Sequence, residues 1–419
     1  MRAGSYADRH TLSGRRPRGV KPDAGIVYCS VYNTRRPRAG RSEDEEATIR
    51  IETIELREIR LALREPFRIS SGTVSERRIL LVRLADADGA EAWSECVAGE
   101  RPNYSPETID TAWLALESWI APRLLGVALR HPSQVAPLLD EDLRGHRMAK
   151  AAAEMGAWGL AAVREGVSLS ELLGGERSRV ETGISIGLQA SPDALAAKAR
   201  EAAEAGYRKI KMKIEPGADV EYVRAVREAL GPDAALAVDA NAAYAPGDEE
   251  TLGRLDELGL IMIEQPFEGG DLVRHAALQA RLRTPLCLDE SITSPARAED
   301  MVSLDAGRIV NIKPGRVGGY AASMAIHDLC RERSIPVWCG GMLESGIGRA
   351  YNVALASLPG FTLPGDISPS ARYWAEDIVD PEWTMDRGWV DVPRGEPGLG
   401  VSVDADAIED RTVRARRLG

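Results

Sequence analysis

The sequence predicts an α/β fold: a TIM-like (β/α)7β barrel with an α+β N-terminal capping domain that the C-terminal segment completes. Two observations lead to this prediction. Five polar side chains, from Lys213 to Lys313, recur every 24 to 26 residues, each at the end of a short apolar or alternating run. Most of these runs are followed by Pro, Gly or Asn, and helical patterns lie between them, which is typical of consecutive βα units.

The length of the chain and its patterning divide the 419 residues into four predicted segments, because a chain of this size exceeds one small core. Residues 1–50 are predicted to be an N-terminal extension. Residues 51–150 form the capping domain and residues 151–365 form the barrel. Residues 366–419 read as an extended segment that packs back on the capping domain.

The composition favours a cytoplasmic protein that acts on small molecules. A formal net charge of −11 disfavours a nucleic-acid partner. No apolar run approaches the roughly 18 residues that a membrane span requires, so no membrane partner is expected. The five cysteines form no CxxC pair, which fits reduced thiols packed as small hydrophobic side chains.

The first 50 residues are rich in Arg, Gly and Ser and contain RRPR twice. Such a composition occurs in targeting segments and in nucleic-acid-binding arms. Because no apolar stretch or amphipathic period accompanies it, we expect a disordered tail, or a start site placed too early in the gene.

The capping domain is predicted to consist of three strands followed by helices. The run from 51 to 63 alternates, and residues 77–96 read as two strands joined by a turn at Asp88-Gly89. Ser105-Pro106 predicts the start of a helix that ends near Leu125, and a second helix is expected over about 147–165. Two loops, 67–73 and 97–105, are candidates for a lid over a neighbouring site.

The barrel is predicted to have eight strands with helices between them. Ser191-Pro192 and Ser294-Pro295 combine a capping Ser with Pro at the first helical position and mark two helix starts. The predicted strands are 181–186, 208–214, 236–240, 260–264, 286–290, 308–313, 336–340 and 361–365.

The polar strand ends predict an active site, because barrels of this kind carry their chemistry at the C-terminal ends of the strands. Lys211 and Lys213 project to the same face, the barrel interior, since side chains alternate along a strand. Two neighbouring ammonium groups repel, so we expect each to lower the pKa of the other toward that of a general base.

Asp239, Glu264 and Asp289 end three consecutive strands and are expected to converge. Three adjacent carboxylates either bind a hard cation or neutralise the lysines, and their matched positions favour the cation. With no His or Cys among them, the all-oxygen set favours Mg²⁺ over zinc, with Mn²⁺ and Co²⁺ as alternatives.

Lys313 ends the sixth strand, four strands from Lys213, and therefore lies opposite Lys213 in an eight-stranded barrel. Two bases that face opposite sides of one carbon suit a 1,1-proton transfer. One base removes the α-proton of a small carboxylate substrate and the other returns a proton to the opposite face. A metal ion would bind the substrate carboxylate and stabilise the enediolate that forms.

The strand-end motifs resemble those of the enolase superfamily, in its muconate-lactonizing subgroup. In chain order they are KxK, DAN, EQP, DES and NIKPGRVGG. Longer segments are similar to the o-succinylbenzoate synthase/N-succinylamino acid (N-acylamino acid) racemase family, and the similarity runs from about residue 53 to 405. These segments are GHRMAK, GYRKIKMKIEPG, PVWCGGMLESGIGRA and LPGDIS.

The resemblance implies a capping domain whose two loops close over the barrel mouth, and a homo-oligomer. It implies a Mg²⁺ site, a pair of acid/base lysines, an electrostatic role for a third lysine, and several contacts to substrate. The Mg²⁺ ligands would be Asp239, Glu264 and Asp289, and the acid/base pair would be Lys213 and Lys313. Lys211 would have the electrostatic role. The contacts to substrate would come from Ser185, Asn241, Gly341 and Met342. One departure is Ser70-Ser71-Gly72, where a bulky aromatic is expected, so the acyl and side-chain preferences stay open.

The same resemblance implies an isomerase or lyase. The first hypothesis is racemisation of N-succinylamino acids by two-base proton transfer. The alternative is the syn dehydration that forms o-succinylbenzoate in menaquinone synthesis, and both activities can reside in one protein. Dipeptide epimerisation is a third hypothesis, against which the long racemase-like motifs argue.

Overall fold

The computed structural model describes residues 49–419. The predicted N-terminal extension, residues 1–50, lies outside the described residues except for its last two. Those two residues, Ile49 and Arg50, are the beginning of the first strand.

The capping domain is built on an antiparallel sheet of long strands. Its strands are β1 (Ile49–Ile69), β2 (Gly72–Asp86), β3 (Glu91–Cys96) and the short β4 (Ala128–Leu129). β2 pairs with β1 and β3, and β4 pairs with the beginning of β1. Alternating residues such as Ile54 and Leu56 on β1, and Leu80 and Val82 on β2, are fully buried against the capping helices.

The capping helices cover the inner face of this sheet. They are α1 (Ile109–Ala115), α2 (Ala121–Leu124), α3 (Val135–Asp140) and α4 (Arg147–Glu165). One π-helical turn, Leu116–Ile120, joins α1 to α2, so the helical run ends at the predicted place. Helix α4 has the predicted bounds. Its Gly156 and Gly159 allow close packing, since a methyl group at Gly159 would lie 2.5 Å from the Tyr351 hydroxyl.

Two predictions for the capping domain were wrong. The predicted first loop, 67–73, is the tip of the β1–β2 hairpin, because both strands continue past Pro66 to a tight turn. Helix α1 begins three residues later than predicted, behind a reciprocal capping box of Thr108 and Thr111. The Glu107 carboxylate instead accepts hydrogen bonds from the first backbone N–H groups of α4, which holds residues 105–107 in a turn.

The second half of the described chain alternates strands and helices around a parallel sheet. After the short helix α5 (Leu169–Leu172) come β5 (Arg179–Glu181) and seven parallel strands in the order β6 to β12. These are β6 (Ile184–Ile186), β7 (Ile210–Lys213), β8 (Leu236–Asp239), β9 (Met262–Glu264), β10 (Leu286–Leu288), β11 (Ile309–Ile312) and β12 (Val337–Cys339). The helices are α6 (Pro192–Glu204), α7 (Val220–Leu230), α8 (Glu249–Leu255), α9 (Leu272–Gln279), α10 (Pro295–Leu304), α11 (Pro314–Val317), α12 (Tyr320–Glu332) and α13 (Gly346–Ala356).

Residues 361–366 close this ring without forming a regular strand. The Thr362 N–H donates to Val337 on β12 (3.2 Å), and the Gly365 N–H donates to Glu181 on β5 (3.0 Å). Pro364 lacks an N–H and interrupts the ladder. The predicted eighth strand is therefore a closing segment with isolated bridges, and the predicted first strand, 181–186, is divided between β5 and β6.

The C-terminal segment returns to the capping sheet, as the predicted fold requires. It contains β13 (Val379–Asp380), β14 (Trp389–Asp391), β15 (Ser402–Val403), α14 (Ala405–Arg411) and β16 (Thr412–Leu418). β16 pairs antiparallel with β1, with Ile54 opposite Leu418, so the sheet order is β16-β1-β2-β3. Helix α14 was not predicted.

Four of the five cysteines lie within the described residues, and all four are free and buried, which fits the prediction of packed thiols. The fifth, Cys29, lies outside the described residues. Between residues 49 and 419, no helix combines the length and the apolar character needed to cross a membrane.

Candidate active site

Three acidic side chains meet inside the barrel at the C-terminal ends of adjacent strands. Asp239 is the last residue of β8, Glu264 is the last residue of β9, and Asp289 directly follows β10. All three are buried, and one carboxylate oxygen from each lies within 4.8 Å of the others. The predicted convergence is therefore present, because neighbouring parallel strands end at one edge of the sheet.

Lys213 contacts this group from the β7 side. Its Nζ atom lies 2.6 Å from Asp239 Oδ2 and donates a second hydrogen bond to Asn241 Oδ1, also at 2.6 Å. Asn241 has a positive φ of 44° and sits just beyond the strand end, where its Nδ2 reaches Glu290. The turn after β8 thus places the Asn241 amide between Lys213 and Glu290, which lies just beyond the end of β10.

Lys211 lies two residues before Lys213 on β7 and therefore deeper in the barrel. Its Nζ atom lies 2.8 Å from Glu264 Oε2, 3.2 Å from Asp239 Oδ2 and 2.8 Å from Asp366 Oδ2. Met212 and Ile214 point outward and pack among the apolar side chains of α6 and α7. The alternation predicted for this strand is therefore confirmed.

The pKa prediction for the paired lysines was wrong for Lys211. Burial by itself lowers the pKa of Lys211, but the three nearby carboxylates raise it well above the usual value, with Asp366 the largest of these contributions. Sequence reasoning counted the repulsion between two lysines and missed an acid. Because Asp366 lies more than 150 residues along the chain, only the folded barrel brings it to Lys211.

Lys313 contacts the carboxylates from the other side. Its Nζ atom lies 2.7 Å from Asp289 Oδ2 and donates to the Tyr104 hydroxyl at 3.2 Å. Burial lowers the pKa of Lys313, but the net shift is upward because of electrostatic interactions with Tyr104, Glu264 and Glu290. The amine is therefore held as a cation beside Asp289.

The remaining predicted residues surround this centre. Ser185 on β6 donates to Asp366 Oδ2 (3.2 Å) and so lies next to Lys211. Gly341 follows β12, and a methyl group there would lie 2.8 Å from the Asp366 carbonyl oxygen. Met342 packs against the apolar core of the capping domain. Ser185 and Gly341 thus line the barrel interior, whereas Met342 faces the capping domain.

Several residues at this centre were not singled out from the sequence. Arg316 donates to Asp289 from α11, and Asn311 donates to Glu264 Oε1 at 2.7 Å. Tyr104, from the second predicted lid loop, donates to Asp289 Oδ1 at 2.9 Å. A signal existed for Asp366, because it directly follows the predicted eighth strand, as Asp289 directly follows β10 in the structure.

The donor set suits one hard divalent cation. Its three carboxylates supply oxygen atoms within reach of a single ion, without a His or Cys ligand. The lysine ammonium groups now balance these negative charges, so the acids are not left buried without partners. These three carboxylates therefore fit a metal ion.

The architecture and this site correspond to a known group of proteins. Residues 194–407 match the family model described as enolase C-terminal domain-like. Residues 51–174 match the N-terminal domain of the mandelate racemase/muconate lactonizing enzyme family. This chain belongs to the enolase superfamily. Its barrel and capping domain are the two halves that these family models describe.

Relatives with two different names are equally similar to this superfamily member. The o-succinylbenzoate synthase of Geobacillus kaustophilus is 46% identical over 368 residues, which cover 88% of this chain and 97% of that protein. The N-succinylamino acid racemase of an Amycolatopsis species is 46% identical over 371 residues, covering 88% and 100%. A crystal structure of an enolase superfamily member from Listeria innocua has a TM-score of 0.85 at 36% identity, covering 89% of this chain and 99% of that one. The chain is therefore an enzyme of the o-succinylbenzoate synthase/N-succinylamino acid racemase family.

Proposed function

We propose that this enzyme racemises N-succinylamino acids by 1,1-proton transfer, with Mg²⁺ bound by Asp239, Glu264 and Asp289. The observation that carries the proposal is the placement of two lysine amines on opposite sides of the three carboxylates. Lys213 contacts Asp239 on one flank, and Lys313 contacts Asp289 on the other. A small carboxylate held over the acids would present one face of its α-carbon to each amine.

Each amine has a defined part in this reaction. Lys213 removes the α-proton from one enantiomer, and the Lys313 ammonium group donates a proton to the opposite face. For the other enantiomer the roles exchange. Lys211 stays protonated between its carboxylates and contributes positive charge near the enediolate. When bound, a divalent cation would neutralise the acids and stabilise negative charge on the substrate carboxylate.

A second function, o-succinylbenzoate synthase activity, uses the same residues. Synthases and racemases are named among relatives at the same identity. In the dehydration, Lys213 would remove the α-proton and, as an ammonium group, pass that proton to the hydroxyl group, which would leave as water from the same face. Lys313 would remain a cation, as its ion pair with Asp289 and its contact with Tyr104 favour. We propose that one protein performs both reactions.

The same proposal includes the setting of the enzyme. Substrates are small carboxylates, and the enzyme acts in the cytoplasm as a homo-oligomer. The acidic net charge of −11 is compatible with this setting and does not favour binding to nucleic acid.

The proposal is tested by NMR in D₂O with Mg²⁺. Each enantiomer of an N-succinylamino acid is supplied separately, and the α-proton signal and the enantiomeric ratio are followed over time. We expect the α-proton to be lost and optical purity to decay from both enantiomers. The synthase substrate, supplied in a parallel sample, is expected to lose water.

The outcomes separate the candidate reactions. Exchange from neither enantiomer, by protein shown to bind Mg²⁺, would contradict racemisation and leave the dehydration. Turnover of dipeptides in preference to N-succinylamino acids would favour epimerisation instead. Failure to use any of these substrates would contradict the proposed function.

A further inference from the structure

The turn between β12 and α13, residues 340–345, lies directly against Lys313 and Asp366 of the candidate site. A methyl group at Gly340 would lie 2.7 Å from Lys313 Cε, and one at Gly341 would lie 2.8 Å from the Asp366 carbonyl oxygen. A side chain at either glycine would therefore collide with these neighbours. A displacement of the turn would therefore move Lys313 or open a gap beside it.

This turn is held in part by residues outside it, such as Trp374, whose indole N–H donates to the Glu344 carbonyl oxygen (3.2 Å). Leu343 has a φ of 58°, a left-handed conformation that is unfavourable for a non-glycine residue. Helix α13 begins at Gly346, and the side chain of its N-cap residue, Ser345, makes no hydrogen bond to the helix N-terminus. The first backbone donors of this helix therefore need partners from elsewhere.

The N–H of the first helical residue, Gly346, donates to Asp377 Oδ1 (2.8 Å). Glu95 on strand β3 of the capping sheet supplies partners for the donors on either side of it. Its Oε2 atom accepts hydrogen bonds from the Ser345 N–H (3.0 Å), the Ser345 hydroxyl (2.7 Å) and the Gly348 N–H (3.2 Å). Glu95 is 1% exposed. A methyl group at Gly348 would lie 2.8 Å from the same oxygen, so the helix backbone approaches the carboxylate as closely as a glycine permits.

We infer that Glu95 is a positioning residue, through which the capping sheet holds the 340–345 turn against Lys313 and so sets substrate binding. The inference deepens the proposed function and rests on it for the effect on substrate. The hold on the turn itself follows from the three hydrogen bonds. Because Glu95 is on a capping strand, the capping domain would have two roles. Its predicted lid loops would cover the site, and its sheet would also hold the 340–345 turn of the barrel in place.

The test compares Glu95→Ala with Glu95→Gln in the full chain with Mg²⁺. Hydrogen–deuterium exchange of peptides covering 340–349 reports on the turn, and α-proton exchange of an N-succinylamino acid reports KM and kcat. For Glu95→Ala we expect about tenfold faster deuterium uptake in these peptides and about a tenfold higher KM, with a smaller loss of kcat. Glu95→Gln keeps a carbonyl acceptor, so both quantities should stay within about threefold of wild type.

Glu91→Ala is the matched control, because Glu91 lies on the same strand, is exposed and pairs with Arg83. It should change neither readout. Ser345→Ala removes only the hydrogen bond from the Ser345 hydroxyl to Glu95. It should accelerate deuterium uptake in peptides covering 340–349 about threefold, and it replaces Glu95→Ala as the test if that variant does not fold.

Wild-type uptake at 340–349 in Glu95→Ala and Ser345→Ala would overturn the inference. So would equal acceleration across all peptides, or Glu95→Gln as impaired as Glu95→Ala. If wild-type protein exchanges no substrate proton, the proposed function fails, whereas deuterium uptake still decides whether Glu95 holds the turn.

Discussion

At the scale of single residues, the site is a balance between buried amines and buried acids. Each carboxylate of Asp239, Glu264 and Asp289 lies within 2.8 Å of a lysine Nζ. Buried ions in low dielectric are costly unless paired, so the lysines and acids stabilise one another. A bound cation would take over part of this role and free the amines for proton transfer.

Replacing either of the two lysines, Lys213 or Lys313, should give enzymes that prefer opposite enantiomers of the substrate. Lys313→Ala should reduce α-proton exchange from one enantiomer about 10³-fold while leaving measurable exchange from the other. The reason is that the remaining amine, Lys213, faces only one side of the α-carbon. Lys213→Ala should show the reverse preference. Exchange is measured by NMR in D₂O, with Lys198→Ala, a half-buried lysine outside the site that pairs with Glu65, as the control. Equal losses from both enantiomers in both variants would contradict the two-base assignment.

Metal binding should be visible without turnover. Adding Mg²⁺ to metal-free protein should raise the midpoint temperature of unfolding by several degrees, because an ion that binds only the folded state stabilises it. Glu264→Gln should lose most of this rise, whereas Glu268→Gln, an exposed acid four residues away, should retain it. The measurement is differential scanning fluorimetry with and without EDTA. A wild-type midpoint that does not respond to Mg²⁺ would count against the metal site.

At the scale of elements, glutamates from other elements cap three helices. Helices α4, α12 and α13 begin without a side-chain hydrogen bond from their own N-cap residues. Glu107 accepts from the first turn of α4, Glu154 from that of α12, and Glu95 from that of α13. Each carboxylate satisfies orphan backbone donors and interacts favourably with the positive end of the helix dipole. These contacts connect the capping domain, α4 and the barrel.

Glu154 should make stability depend on pH. Burial raises the pKa of Glu154 to about 7, although the N–H groups of Tyr320, Ala321 and Trp158 favour the charged form. In the unfolded chain this pKa is about 4.3, so between these values the folded state binds more protons and its stability falls as pH rises. The buried Glu154 should therefore stabilise the protein less at pH 8 than at pH 5, by about 2 kcal/mol.

Glu154→Gln removes this titration and isolates the effect. The difference in unfolding free energy between wild type and Glu154→Gln should shift in favour of the variant by that amount from pH 5 to pH 8. Urea denaturation at both pH values measures it, with the exposed Glu176→Gln as the control. A difference that is the same at both pH values would contradict the assignment.

At the scale of the whole molecule, the last strand of the described chain, β16, completes the capping sheet that begins with β1. Strand β16 covers one edge of β1, which would otherwise expose unpaired backbone groups. Arg414 on β16 stacks over the Trp113 ring at 4.1 Å and donates to the buried Glu58 at 2.6 Å. The capping sheet therefore depends on both ends of the described chain.

Removing residues 412–419 should destabilise the capping sheet. The deletion leaves β1 as an open edge and Glu58 with one fewer cation, so the unfolding midpoint should fall by roughly 5 °C. Arg416→Ala removes an exposed ion pair with Glu117 from the same strand and should change the midpoint by less than about 1 °C. Thermal unfolding followed by circular dichroism measures both. An unchanged midpoint after the deletion would show that β16 contributes little.

The sequence by itself determined the repeating βα pattern, the inward lysines and the three converging acids. These follow from local periodicity: strand alternation sets which side chains point inward, and parallel strands bring equivalent ends to one edge. Side chains at matched strand ends, such as Asp239 and Asp289, are therefore predictable without a structure. The bounds of α4 were predictable for the same reason, since its apolar pattern is continuous.

Only the tertiary structure decided what meets those residues. Asp366 reaches Lys211, Tyr104 reaches Lys313, and Glu107 leaves its own predicted helix to cap α4. Each contact joins residues far apart in the chain, so no local period encodes it. The raised pKa of Lys211 follows from such contacts, because the charge around a buried group depends on every element packed against it.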